Sequence, residues 1–224
     1  MQTYKIITDS ACDLSKAMLQ ELDVTITPLH VLCNGENMPD TVEEARIKTF
    51  YAGMRAGDIP KTAAVNPEAW AVVIEAALAD GFDALVLGFS GGLSTTYQSA
   101  VIAAQELQEK YPARKIIVID TASAALGQGL LVWYTCKKRD EGLSLEELAE
   151  WVEHNKLHLA HWFTVDDLVY LKRGGRVSAA TALVGTMLNI KPVLHVDDEG
   201  HLISMAKVRG RKAAIDTLIK KMQE

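Results

Sequence analysis

Ala84-Leu85-Val86-Leu87-Gly88-Phe89 runs straight into Ser90-Gly91-Gly92-Leu93-Ser94-Thr95-Thr96-Tyr97, and a helical pattern follows from Gln98 to Lys110. An apolar run ending in a small, hydroxyl-rich turn before a helix predicts a buried strand that delivers hydroxyls and backbone N–H groups to a helix N-terminus. That arrangement is a docking site for an anionic group. Ser94, Thr95 and Thr96 are also good N-cap residues, so a purely capping role stays open beside the docking one.

The same grammar recurs on either side. Lys5-Ile6-Ile7-Thr8 is a short strand that stops at Asp9-Ser10 and leads to Asp13, an N-cap for a helix over Leu14 to Leu22. Lys115-Ile116-Ile117-Val118-Ile119 ends at Asp120-Thr121-Ala122-Ser123, ahead of a small-residue helix from Ala124 containing Gly127 and Gly129. Ligands of open α/β sheets bind beyond the carboxyl ends of the strands, so the three turns are expected to converge on one crevice. Asp9, Ser10, Asp120 and Ser123 either shape these turns or line that crevice, because Asp and Ser at strand ends commonly bond nearby backbone.

Helical patterns at Val42 to Arg55, Pro67 to Ala79, Ser99 to Lys110 and Leu145 to Asn155 alternate with the apolar strands, which predicts a parallel sheet up to about residue 150. Beyond it come a strand at Leu159 to Val165, a helix at Asp167 to Lys172, a loop at Arg173-Gly174-Gly175-Arg176 and a small-residue helix from Ser178 to Met187. A strand–turn–strand hairpin over Pro192–Val196, Asp197–Gly200 and His201–Met205 follows, and a final helix runs from Arg211 to Met222. The expected organisation is two α/β domains, residues 1–155 and 156–224. The first is a three-layer α/β/α domain with a parallel sheet, and the second is smaller with a mixed sheet.

Composition narrows the function. The 224 residues are 49% hydrophobic, enough for a sizeable core, and 23 Lys plus Arg against 29 Asp plus Glu give a net charge of −6. No global charge draws the chain to nucleic acid or an anionic membrane. The start lacks the basic and apolar regions of a signal peptide and no apolar run reaches spanning length, so a cytoplasmic protein without stable membrane insertion is expected. Cys12, Cys33 and Cys136 are scattered, and no acidic or thiol ligand completes a recognisable metal pattern with His154, His158 and His161, so neither a disulfide framework nor a metal site is indicated. Gly88-Phe89-Ser90-Gly91-Gly92 has the spacing of Gly-x-Ser-x-Gly, but no histidine has an evident pairing role, which argues against a serine hydrolase.

An ordered series of segments resembles the DegV family, which includes the fatty-acid-binding subunits of bacterial fatty acid kinase. The segments are Ile7-Thr8-Asp9-Ser10-Ala11-Cys12-Asp13-Leu14, Pro60-Lys61-Thr62, Ser90 to Ala100, Asp120-Thr121-Ala122-Ser123, Val165 to Ser178 and Ile190-Lys191-Pro192-Val193-Leu194. The resemblance implies a long-chain fatty acid in an apolar tunnel, bound without a cofactor and presented to a separate kinase subunit, with no chemistry by the binding protein itself. By that resemblance Thr62 and Ser90 meet the head group, with Ser94 a third candidate, and Arg209 lies in a basic motif associated with the phosphorylated head group and the kinase partner; Gly91, Thr95, Asp9, Ser10 and Arg176 are further ligand-binding candidates, and Lys207 is a further candidate for the phosphate or partner face. Ala179 to Leu188 is a candidate tunnel wall, and close packing against a sheet explains the same residues equally well.

The family pattern is not matched everywhere. Ala63, Ala64 and Val65 follow Thr62 where the family has Ser, Gln and Pro, and Gly91 and Thr95 replace a serine and a glycine of the serine-rich turn. Family members continue past Glu224 with further strands and a histidine near the head group, so by the resemblance either the sequence is a fragment, or the final segment was lost, or this is a shortened member whose site is open, and no position here is assigned that histidine. The competing reading is a phosphate-handling subunit of the dihydroxyacetone-kinase type, using helix N-termini for phosphate and Asp9 or Asp120 for metal. It lacks Gly-x-x-x-x-Gly-Lys-[Ser/Thr], and it predicts phosphotransfer by the pure chain with ATP and magnesium.

Overall fold

A computed structural model describes residues 3–177 and 189–224. These residues fall into two compact units, one ending at Lys156 and the other running from Leu157 to Glu224.

The first unit is built on four parallel strands, β1 (Tyr4–Asp9), β2 (Val24–Thr27), β6 (Asp83–Gly88) and β7 (Ile116–Asp120), in the order β2-β1-β6-β7. Ile6, Ile7, Leu85, Val86 and Leu87 have no exposed surface. Central parallel strands are covered on both faces, which is why these segments read as continuous apolar runs rather than alternating ones. On one face Ile7, Ala84 and Val86 pack with Trp70, Ile74 and Leu78 of α3 (Pro67–Ala79) and Ala100, Ala103 and Leu107 of α4 (Thr96–Lys110). Side chains alternate along a strand, so Ile6, Leu85 and Leu87 face the other way, where α6 (Leu145–Asn155) lies against β6 and β7. The helix α5 (Ala125–Asp140) packs on α6 and on the 3-10 turn Ser10–Cys12 that ends β1.

A second, antiparallel sheet of this unit consists of β3 (His30–Cys33), β4 (Glu36–Pro39) and β5 (Lys61–Ala63), ordered β4-β3-β5. The sequence reading contains no counterpart to it. Its strands bury no residue fully, so no period of apolar residues announces them, whereas the accompanying α2 (Glu44–Ala56) answers to the helix expected over Val42 to Arg55. The short helix α1 (Lys16–Glu21) is capped by Ser15, whose hydroxyl accepts from Met18 N. The cap expected at Asp13 is therefore displaced, and Asp13 instead closes the 3-10 turn in the left-handed region at φ 54°.

In the second unit β9 (Ile190–Val196) and β10 (Leu202–Arg209) form the expected hairpin, with Val196 opposite Leu202 and an irregularity between Ser204 and Ala206. Only Trp162–Phe163 (β8) of the expected Leu159–Val165 strand pairs with β9. The described strands of this sheet are antiparallel throughout; the parallel element that a mixed sheet requires is not among them. α7 (Val169–Arg173) and α8 (Arg211–Gln223) complete the unit around Leu168, Val177 and Leu194. The Ala179 to Leu188 wall lies outside the described residues.

Candidate functional site

The carboxyl ends of β1, β6 and β7 lie side by side, because Thr8 is in register with Leu87 and Gly88 with Asp120. The turn after β6 therefore sits between the turns after β1 and β7, as the sequence pattern predicts. Its backbone donors are nearly all used inside the fold. Phe89 N donates to Asp9 Oδ2 at 2.7 Å, Ser90 N to the Ser123 carbonyl at 3.0 Å, and Gly91 N to Asp120 Oδ2 at 3.1 Å. Gly92 N reaches Ser90 Oγ at 3.2 Å, and the N–H groups of Leu93 and Ser94 both reach the Ser90 carbonyl at 3.1 Å.

This overturns one expectation. The turn is not a cradle of outward N–H groups waiting for an anion, since the donors from Phe89 to Ser94 already have acceptors. The other polar groups of the turn are hydroxyls. Ser90 is fully buried. Ser94 Oγ accepts from Thr96 N at 3.2 Å and lies 2.8 Å from Thr96 Oγ1, so the helix-capping role falls to Ser94. Thr95 occupies the N-cap position of α4 without a side-chain bond and is exposed. The indole of Trp70 donates to the Thr96 carbonyl at 3.0 Å, which fastens the start of α4 to α3.

Asp9 has no exposed surface. Its Oδ1 accepts from Ala11 N at 3.1 Å while Oδ2 holds Phe89. Burial raises its carboxyl from 3.8 to about 6, against the opposing effect of these hydrogen bonds. Asp120 holds Ala122 N at 2.9 Å with Oδ1, while its own carbonyl accepts from Lys156 Nζ at 2.9 Å. Ser10 Oγ donates to Asp40 Oδ2 at 2.7 Å and accepts from Leu29 N at 3.0 Å, joining β1 to the antiparallel sheet. Beside Ser10 a cavity of about 700 Å³ opens against Val31, Met38, Ile47, Phe50 and Tyr51.

Two contributors escaped the sequence reading. Asp40, the acceptor of Ser10, sits in a stretch with no pattern of its own. Gln128 is wholly buried and donates to Thr8 Oγ1 at 3.0 Å, while Thr8 donates to the Leu87 carbonyl at 2.7 Å. A long polar residue between Gly127 and Gly129 in an otherwise apolar helix was its signal.

Thr62 belongs to the same unit but to the antiparallel sheet, where it pairs with Val31 and is exposed. Arg176, Lys207 and Arg209 belong to the second unit. Arg176 folds its guanidinium onto the Gly174 carbonyl. Lys207 and Arg209 are exposed on one face of β10. Among the described residues no group of three or more His, Cys, Asp and Glu is placed to hold a metal ion. Cys12 and Cys136 are buried thiols raised to about 12 by desolvation, so they are inert rather than nucleophilic. No described helix is long and apolar enough to cross a membrane.

Comparison with known proteins places this geometry. The family described as "Uncharacterised protein, DegV family" matches residues 3–224. A DegV domain-containing protein of Clostridium perfringens is 43% identical over 227 residues, covering 100% of this chain and 77% of the relative. The crystal structure of a stearic-acid-binding protein from Eubacterium ventriosum superposes with a TM-score of 0.89 at 31% identity, covering 98% of this chain and 75% of that one. The fatty acid kinase B3 protein of Streptococcus pneumoniae, loaded with linoleic acid, superposes with a TM-score of 0.81 at 28% identity, covering 98% and 79%. With the family match running over residues 3–224 and a 43% identical relative aligned over the whole chain, the chain belongs to the DegV family.

Proposed function

We propose that this protein binds a long-chain fatty acid, holds its carboxylate through the hydroxyls of Thr62, Ser90 and Ser94, and presents it to a separate kinase in the cytoplasm. The observation that carries the reading is chain-long structural agreement with a stearic-acid-binding relative and with one loaded with linoleic acid. The hydroxyl-rich carboxyl edge of the parallel sheet supports it chemically. A buried carboxylate needs donors, and neutral hydroxyls supply them without a fixed ion pair that would resist transfer of a phosphorylated head group. The acyl chain supplies the affinity, at about 0.8 kcal/mol per methylene and on the order of ten kcal/mol gross before the costs of association.

On this reading Lys207 and Arg209 serve the phosphorylated head group and the kinase partner. Two acidic residues that a metal-dependent phosphotransfer enzyme would recruit, Asp9 and Asp120, instead spend their oxygens on backbone N–H groups. Mass spectrometry of lipid extracted from the purified protein tests the proposal. One fatty acid per chain is expected, and its mass reports the chain length. A protein that is empty and takes up no added fatty acid refutes it, and phosphotransfer by the pure chain with ATP and magnesium would favour the phosphate-handling alternative.

A further inference from the structure

Phe89, Ser90 and Gly91 surrender three consecutive N–H groups to three acceptors that come from elsewhere in the chain: Asp9 Oδ2 at 2.7 Å, the Ser123 carbonyl at 3.0 Å and Asp120 Oδ2 at 3.1 Å. Tight turns ordinarily satisfy such donors with their own residues or with water. Here two carboxylates, from the ends of the strands on either side of β6, close on the residues immediately before and after Ser90. Asp9 is wholly buried to do this, which is a costly placement for an ionisable group.

The fit is close on the turn side as well. A Cβ added at Gly91 would lie 2.6 Å from Asp120 Oδ2 and 2.9 Å from Gln98 Nε2, so the carboxylate reaches the turn only because that position is glycine. The second oxygen of each carboxylate is anchored to its own loop, at Ala11 N for Asp9 and Ala122 N for Asp120. Each clamp is thereby fixed at both ends.

We propose that Asp9 and Asp120 are positioning residues, whose carboxylates grip the backbone on both sides of Ser90 and aim its hydroxyl at the head group of the bound acid. This rests on the fatty-acid reading above. Neither carboxylate contacts the ligand; each acts through the turn. Loosening either clamp lets the hydroxyl swing, which weakens recognition of the head group and leaves burial of the alkyl chain unchanged.

The test compares two ligands with one chain and different heads, hexadecanoic acid and hexadecan-1-ol, in competition against a fluorescent fatty acid on the full-length protein. The wild type is expected to prefer the acid. Asp120→Ala is expected to cut that preference about tenfold, the loss of roughly one well-aligned hydrogen bond to a charged group, with alcohol affinity unchanged. Asp120→Asn and Asp9→Asn retain one acceptor oxygen and are expected to fall between Asp120→Ala and wild type. Gly91→Ala displaces the Asp120 carboxylate from the turn side and is expected to match Asp120→Ala, which keeps the test intact if the latter does not fold.

A general loss of structure lowers acid and alcohol binding together, so equal losses in these variants, or an unaltered preference, overturn the positioning role. A wild-type protein that binds neither ligand, or does not distinguish them, refutes the functional reading and this inference with it.

Discussion

Asp9 has no surface in contact with water, and burial holds its carboxyl at about 6 rather than 3.8. The folded protein therefore keeps a proton between roughly pH 4 and 6 that the unfolded chain releases. The stability Asp9 contributes by being neutral is fully present below pH 4 and is lost as pH rises through about 6. The unfolding free energy of the wild type minus that of Asp9→Asn, from urea melts across this window, is expected to fall with rising pH by about 2–3 kcal/mol; a flat difference would mean that Asp9 titrates normally. The hydroxyls are tested separately. Ser90→Ala and Thr62→Val each delete a donor to a charged head group and are expected to weaken fatty-acid binding about tenfold or more, with folding retained. A folded double variant that binds as well as wild type would remove both residues from the site.

α5 owes its position to a single glycine. A Cβ at Gly129 would stand 2.4 Å from the Cys12 carbonyl oxygen and 3.1 Å from Leu14 Cδ2, so Gly129→Ala must push the helix off the 3-10 turn that follows Asp9. Alanine improves helix propensity by about 1 kcal/mol, yet overpacking against backbone costs about 1–3 kcal/mol, and a net loss of stability is expected in urea denaturation; a stabilised variant would mean the contact relaxes freely. Elements with strong local signals were legible in the sequence. α3 begins at Pro67 behind an Asn66 side chain that accepts from Ala69 N, and α6 begins behind the reciprocal capping of Ser144 and Glu147. Strands β1, β6 and β7 were legible because burial on both faces demands unbroken apolar runs. β5, which carries Thr62, was not, since three residues of which two are exposed have no period to read, and the other strands of its sheet, β3 and β4, are scarcely better covered. The clamps on Ser90 were illegible for a different reason: Asp at a strand end looks the same whether it bonds its own turn or, as Asp9 does, a residue 80 positions away.

The two units differ in what holds them. In the first, ten residues from β1, β6, α3, α4 and the approach to α3 form one buried apolar cluster, and Ile6, Ile7, Leu85, Val86 and Leu87 of the central strands have no exposed surface. In the second, the corresponding cluster of described residues has three members, Leu168, Val177 and Leu194, while Ile203, Met205, Ile215, Ile219 and Met222 remain exposed. A unit that runs only from Leu157 to Glu224 draws only a few kcal/mol from its core against the entropy of ordering its chain. Residues 1–156 expressed alone are therefore expected to unfold in urea as one cooperative transition, followed by circular dichroism at a helical wavelength. Residues 157–224 alone are expected to melt gradually, without a baseline for the folded state. A sharp transition in the smaller fragment would mean that its exposed apolar residues find cover in that fragment, by self-association or by repacking, and the concentration dependence of the midpoint separates those two.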